Sequence, residues 1–181
     1  MKKITLVSKI LQVVFWIVMI CLPILNLLFW LYFDDFRSLG FGDRIGGIDL
    51  RSIPLQLPLP LSAKMFALAA GILTLAVDMT IAYLLIKLFR LYAAGRIFTA
   101  DNVKFIRWIG YTILIGQAIS PVHQALLTLA LTFPNPPGHK MIAIGVGNQN
   151  LFAIVSAVII ILVAWIMDEG RRLQEEQALV I

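Results

Sequence analysis

The chain is short of the residues that carry most soluble chemistry. Its 181 residues include one cysteine and two histidines, and only 14% of them are charged. The lone Cys21 excludes an intramolecular disulfide and a multi-cysteine metal site. No second His or Cys stands at ligand spacing from His123, so no metal is expected, and no cofactor. Soluble domains carry about 25% charged residues, and so sparse a charge argues against a surface solvated by water. Gly-x-Ser-x-Gly, a phosphate loop, His-Glu-x-x-His and a dinucleotide fingerprint are all missing. Proteolysis by paired membrane aspartates would need a partner for Asp78, and there is none. No enzyme is expected.

What the chain has instead is apolar sequence: 60% hydrophobic residues and a mean hydropathy of +0.91. Four long runs, roughly 10–33, 65–89, 106–133 and 151–167, are each near or above the length of about 20 residues that crosses a bilayer as a helix. They predict an all-α membrane protein, a single domain over 1–181, folded as an antiparallel four-transmembrane-helix bundle. Extended by their polar flanks, the helices are placed at about 10–33, 65–94, 100–133 and 150–176.

Lys2, Lys3 and Lys9 precede the first run in the manner of a signal sequence. The run is too long for a typical h-region and no small-x-small cleavage site follows, so it is expected to be a retained signal anchor. Ten basic residues then fall on one face: Lys2, Lys3, Lys9, Lys87, Arg90, Arg96, Lys104, Arg107, Arg171 and Arg172. Five fall on the other: Arg37, Arg44, Arg51, Lys64 and Lys140. The imbalance predicts both termini in the cytoplasm of a multi-pass protein of the bacterial inner (plasma) membrane. A net charge of +5 therefore reads as a topology signal and as contact with membrane lipids, not as direct binding to nucleic acid.

The connections differ in kind. The first, about 34–64, opens with Gly40, Gly42, Gly46 and Gly47 and closes with a Leu/Pro alternation, Ile53 to Leu61. Proline excludes a helix or a central strand there. An extended ribbon is expected, with Leu55, Leu57, Leu59 and Leu61 on one side, serving as a cover for the bundle or as a partner-binding edge. The second is tight. Gly95 fits the left-handed position past a helix end, Thr99 fits the N-cap of the next helix, and Asp101 suits its first turn; Trp108 would mark the interface. The third, Pro134 to Lys140, is a stiff turn. The glycine-broken stretch 141–150 reads as the start of the last helix or as a re-entrant piece.

Polar residues inside the runs point to a candidate site. Asp78, near the middle of the second helix, costs several kcal/mol on insertion scales, about 2.5–3.5, and should face protein or water. Helical spacing sets it on one face with Ala67, Gly71, Thr74 and Ala82. The third helix offers Gly110, Gln117, Ser120, Gln124 and Thr128, with His123 beside them after Pro121. The first offers Gln12, Trp16, Met19, Pro23, Asn26 and Trp30, and the fourth Asn150, Ala153, Ala157, Ala164 and Asp168. Asp78, Thr74, Gln117, His123 and Asn26 form the intramembrane candidate set, either as a proton- or ligand-responsive site or as interhelical hydrogen bonding, which is worth about 0.6 kcal/mol per contact.

The cytoplasmic candidate set is Arg96, Thr99, Asp101, Asn102, Asp168, Arg171, Arg172, Glu175 and Glu176. In the tail, Glu169, Arg172 and Glu176 have the spacing of helix-surface ion pairs, and the apolar end Leu179 to Ile181 is expected to pack on the internal turn or on a partner.

Two of these stretches resemble a known family. Gly95-Arg96-Ile97-Phe98-Thr99-Ala100-Asp101-Asn102-Val103, leading into Arg107-Trp108-Ile109-Gly110, is similar to the internal-loop signature of the bacterial family called domain of unknown function 2975. Asp168-Glu169-Gly170-Arg171-Arg172-Leu173-Gln174-Glu175-Glu176 is similar to its C-terminal signature, departing at Gln177-Ala178, where Asn/Asp-Leu is more usual. The resemblance supplies no reaction. It implies an inner-membrane protein, and members often encoded beside a small helix-turn-helix regulator imply a regulatory or sensory role. The expected function is thus a non-enzymatic membrane module that binds a cytoplasmic protein partner. The alternatives are a small transporter or transporter subunit using the intramembrane carboxylate, and a structural membrane oligomer in which a second copy is the partner.

Overall fold

A computed structural model of the chain describes residues 2–41, 44–45, 48–145 and 148–178. Its elements in order are α1 (Lys2–Leu31), α2 (Phe33–Ser38), β1 (Arg44–Ile45), β2 (Ile48–Asp49), a 3₁₀ turn at Leu50–Ser52, α3 (Leu61–Ala93), α4 (Ala100–Thr132) and α5 (Asn148–Ala178). Helices α1, α3, α4 and α5 are long and apolar enough to cross a membrane. Among the described residues the only sheet is the pairing of Arg44 with Asp49 and Ile45 with Ile48. This is the all-α, four-transmembrane-helix fold that the apolar runs predict.

The helices outrun the runs. α3 and α4 have 33 residues each, about 50 Å of helix against about 30 Å of hydrocarbon. Their ends therefore project beyond the apolar layer, which lets Lys64, Arg90 and Lys104 sit within helix. Pro23 and Pro121 lie inside α1 and α4 without ending them. The first helix begins at Lys2 rather than near residue 10, and the first run's expected end at Phe33 is instead the start of the short α2.

Packing divides the chain into two compact units. The first comprises Met1–Ile20, Asp78–Ile115 and Leu151–Ile181. Here Leu84, Leu88 and Ile109 form a buried cluster, with Tyr92, Phe105 and Ile113 packed against it. Phe15 stacks on Phe89 with ring centroids 5.8 Å apart. That contact corrects one position of the expected inner face of α1: Phe15 is half-buried and Trp16 exposed, whereas Gln12, Met19, Pro23 and Asn26 are half-buried and Trp30 is buried. α4 and α5 approach closely at Gly110. A Cβ at Gly110 would lie 2.5 Å from Ile161 Cγ1 and 3.1 Å from the Ala157 carbonyl oxygen. Ala157 and Ala164 are fully buried, so the small-residue stripe of the last helix faces protein, as its spacing predicts.

The second unit comprises Cys21–Val77 and Gly116–Asn150. Its core joins Trp30 and Phe33 to Leu50, Ile53 and Leu59 from the first connection and to Leu127 and Leu131 of α4. The Leu/Pro ribbon is thus a cover over the helix ends. Its leucines do not share one side, however. Leu59 is buried and Leu55 packs on the core, whereas Leu57 and Leu61 are exposed. The chain bends at Leu57 and Pro58 and enters α3 at Leu61, which breaks the two-residue alternation. Gly42, Gly46 and Gly47, expected to make turns, lie outside the described residues.

One ion pair fastens this cover. The Asp34 carboxylate accepts a hydrogen bond from the Leu59 N–H at 3.0 Å and pairs with the Lys64 ammonium at 2.7 Å. Lys64 also donates to the Leu31 carbonyl at 3.3 Å. Burial pushes the Asp34 carboxyl upward, but the Leu59 N–H and Lys64 outweigh it and hold the group below the ordinary aspartate value. Asn135 adds a second tie by donating to the Pro54 carbonyl at 2.7 Å.

Of the stretch 141–150, residues 148–150 open α5, as one of the two expectations had it, whereas 141–145 is not helical. It is extended chain, hydrogen-bonded to side chains of α4. The Met141 N–H donates to Thr132 Oγ1 at 3.0 Å, the Ala143 N–H to Thr128 Oγ1 at 3.0 Å, and the Gly145 N–H to Gln124 Oε1 at 2.6 Å. Two residues of extended chain advance about 6.7 Å and four residues of helix about 6.0 Å, so the two repeats stay in step over three contacts. The helix side chains also donate back to their own helix. Thr132 and Thr128 reach carbonyls four residues earlier, at 2.7 and 2.9 Å, and Gln124 reaches Ser120 Oγ at 3.2 Å. Gly147 lies outside the described residues.

Candidate functional site

The intramembrane set does not form one cluster within either unit. Asn26, Thr74, Gln117 and His123 belong to the second unit and Asp78 to the first. In the second unit, Asn26 and Thr74 meet at Gly71. The Thr74 hydroxyl donates to the Gly71 carbonyl at 3.1 Å, and a Cβ on Gly71 would lie 3.3 Å from Asn26 Oδ1. Thr74 is therefore satisfied on its own helix, and Asn26 fills the space that glycine leaves. His123 is buried and Gln117 half-buried. The neighbour Gln124, which the sequence placed only on an inward stripe, is the residue with the structural task of holding Gly145.

Asp78 departs from the pattern of its face. Ala82, one turn further on, is buried, and Asp78 is exposed. It stands at the midpoint of α3, 17 residues from Leu61 and 15 from Ala93. A carboxylate there needs water, a cation or another polar group. Among the described residues, no group of three or more His, Cys, Asp or Glu side chains is arranged to hold a metal.

The second set lies in the first unit. α3 ends as the glycine predicts. Gly95 has φ +76°, the Gly95 N–H donates to the Tyr92 carbonyl at 3.0 Å and the Arg96 N–H to the Leu91 carbonyl at 3.0 Å. That is the double bond of a Schellman cap. At the start of α4, Thr99 takes the expected N-cap position but not the expected side-chain bond. Thr99 precedes the helix, and its carbonyl accepts from the Asn102 and Val103 N–H groups at 3.0 and 3.3 Å. Its hydroxyl, however, is buried without a partner and makes no side-chain cap.

Asn102 orders the turn instead. It is fully buried, and its amide donates to the Arg96 carbonyl at 2.7 Å and the Ile97 carbonyl at 2.6 Å. These two carbonyls have left α3 and have not entered α4, so no helical N–H serves them, and the Asn102 amide does. A helix-interior asparagine gives little signal of this from sequence alone, because its partners stand five and six residues earlier.

Asp168 is the centre of the charged group. Its carboxylate accepts from Arg107 at 3.2 Å and from Arg171 at 3.1 Å, with Arg172 at 3.9 Å. Arg171 reaches on to Glu175 at 2.6 Å. The tail ion pairs therefore run Asp168–Arg171–Glu175, replacing the expected Glu169–Arg172–Glu176. The reason is register: Arg171 continues the inward stripe through Ala157, Ala164 and Asp168 toward Arg107 of α4, while Glu169 and Glu176 are exposed. Arg96, Asp101, Arg172, Glu175 and Glu176 are likewise exposed. The apolar end Leu179 to Ile181 lies outside the described residues.

Four helices long and apolar enough to cross a membrane define a polytopic α-helical membrane protein. The chain belongs to the family described as Protein of unknown function (DUF2975), whose model matches residues 11–181. No curated protein and no solved structure matches it.

Proposed function

We propose that the protein is a non-enzymatic regulatory or sensory module of the bacterial inner membrane, oriented with both termini in the cytoplasm, that binds a cytoplasmic protein partner. The ten-to-five distribution of basic residues supports the orientation. The observation that carries the binding role is the Arg107–Asp168–Arg171–Glu175 chain of ion pairs. It fixes the end of α5 against α4 and leaves Arg172, Glu175, Glu176 and Leu173 exposed on a fixed helix. The two Asp168 pairs are half-buried and Glu175 is the exposed end of the network, so the network orders the last turns of α5 and the exposed side chains beside them.

The test is co-purification of the tagged full chain and of a chain lacking residues 173–181 from the same membranes. Capture of a soluble partner by the full chain alone, with equal membrane insertion of both, supports the reading. Equal capture by both overturns it.

A second reading, a small transporter using an intramembrane carboxylate, is favoured by the exposed Asp78 at the midpoint of α3. It requires pH-linked ion flux in liposomes that Asp78→Asn abolishes. Flux unchanged by that substitution, or no flux for any ion tried, counts against it.

A further inference from the structure

We infer that the first unit carries a site for a phosphate group, supplied by an anionic lipid headgroup or by a soluble phosphate. The site is a shallow cleft of about 290 Å³ lined by Ala100, Val103, Lys104, Arg107, Trp108 and Asp168. It shares Arg107 and Asp168 with the ion-pair network that orders the tail, but its test acts through Lys104, outside that network, and is independent of the partner reading.

Charge balance sets the sign of the ligand. Asp168 is the only acid lining the cleft, and both its oxygens are engaged, Oδ2 by Arg107 and Oδ1 by Arg171. Lys104 is exposed and has no ion-pair partner among the described residues. The Nε of Arg107 is buried with no hydrogen-bond acceptor. Buried N–H groups are normally paired, and a guanidinium that spends one amino group on Asp168 keeps other donors for an oxyanion. The cleft therefore presents a free ammonium and an under-used guanidinium beside a neutralised carboxylate.

The apolar wall sets the position. Trp108 is exposed and meets Tyr111 edge-on at 6.3 Å between ring centroids. Trp and Tyr concentrate where hydrocarbon meets headgroups. Lys104, one turn before the Trp108 ring, and Arg107, next to it in sequence, then lie at headgroup level, within reach of a lipid phosphate.

The experiment uses the full chain in phosphatidylcholine nanodiscs, with and without phosphatidylglycerol, and counts retained phospholipids by native mass spectrometry. A separate titration adds inorganic phosphate to the phosphatidylcholine sample. Lys104→Gln removes the free cation and leaves the Arg107–Asp168 pair intact. Lys9→Gln removes an exposed lysine of α1 that does not line the cleft.

The expected result is selective retention of phosphatidylglycerol, weakened roughly fivefold by Lys104→Gln and unaffected by Lys9→Gln. Fivefold corresponds to the roughly 1 kcal/mol that one basic residue contributes near an anionic surface. Binding of inorganic phosphate that depends on Lys104, without lipid preference, keeps the site and assigns the soluble source. Equal effects of the two lysine substitutions, or no selectivity for either probe, overturn the proposal. Lys104→Arg, which keeps the charge, restores binding.

Discussion

The side-chain oxygen of Gln124 accepts a hydrogen bond from the Gly145 N–H at 2.6 Å, and Gln124 is 1% exposed. This contact is the innermost of the three that lay the extended stretch 141–145 along α4. Extended chain beside a membrane helix leaves N–H groups without partners unless side chains supply them. Gln124, Thr128 and Thr132 supply them at four-residue intervals.

Each contact is a part-buried hydrogen bond, and removing one costs about 0.5–1.5 kcal/mol. Gln124→Leu is expected to lower the thermal midpoint in detergent and to speed amide exchange at 143–145. Thr128→Val, close to isosteric, is expected to expose the Ala143 amide in the same way. Exchange rates unchanged in both variants would refute the role given to these side chains.

Gly110 sets the spacing of α4 and α5. An added methyl meets Ile161 Cγ1 at 2.5 Å and the Ala157 carbonyl at 3.1 Å. The isoleucine can turn aside and the carbonyl cannot. Gly110→Ala is therefore expected to destabilise by about 1–3 kcal/mol, the usual range for overpacking. Ile161→Ala in the same chain should recover only part of that loss. Full recovery, read from denaturation in mixed micelles, would show that Ile161 alone limits the approach.

The spanning helices, the Gly95 cap and the small-residue face of α5 were legible because each rests on a local rule: length, a positive φ, or spacing along one helix. Trp16, the side-chain role of Thr99 and the common face of the ribbon leucines were misread for the opposite reason. Phe15 outcompetes Trp16 because Phe89 lies opposite, and no rule internal to α1 contains Phe89. Thr99 has the right residue type for a cap, but Asn102 already holds the turn. Asp78 reads from sequence only as a carboxylate that should face protein or water, because spacing reports the face of a helix and not how fully that face is covered; in the structure it is exposed.

The Asp34–Lys64 pair makes part of the stability depend on acid. Asp34 is held below the ordinary aspartate value in the fold, so the folded form binds its proton more weakly than the unfolded form. Its contribution is fully present above the unfolded value and is lost as pH falls through the lower, folded one. Protease cleavage in the ribbon 53–60 should therefore rise at strongly acidic pH in the native chain. In Asp34→Asn it should be raised already at neutral pH and depend less on acid. A parallel pH profile in the two chains would assign the acid response to other groups.

Asn102 provides the sharpest separation of a structural from an electrostatic role. Its amide nitrogen donates to two carbonyls, at 2.7 and 2.6 Å, from a fully buried position. Asn102→Ala leaves both carbonyls without that donor, and about 1–3 kcal/mol is lost for each group left unsatisfied. Asn102→Asp is expected to be worse, although it is nearly the same size. The substituted carboxylate has no donor when ionised and would face two carbonyl oxygens, so repulsion is added to the lost bonds. Trypsin cleavage at Arg96 reports the order of the turn, and the expected ranking of cleavage rates is Asp above Ala above the native chain. A ranking with Ala above Asp would mean that volume, not hydrogen-bond donation, is what the turn requires at this position.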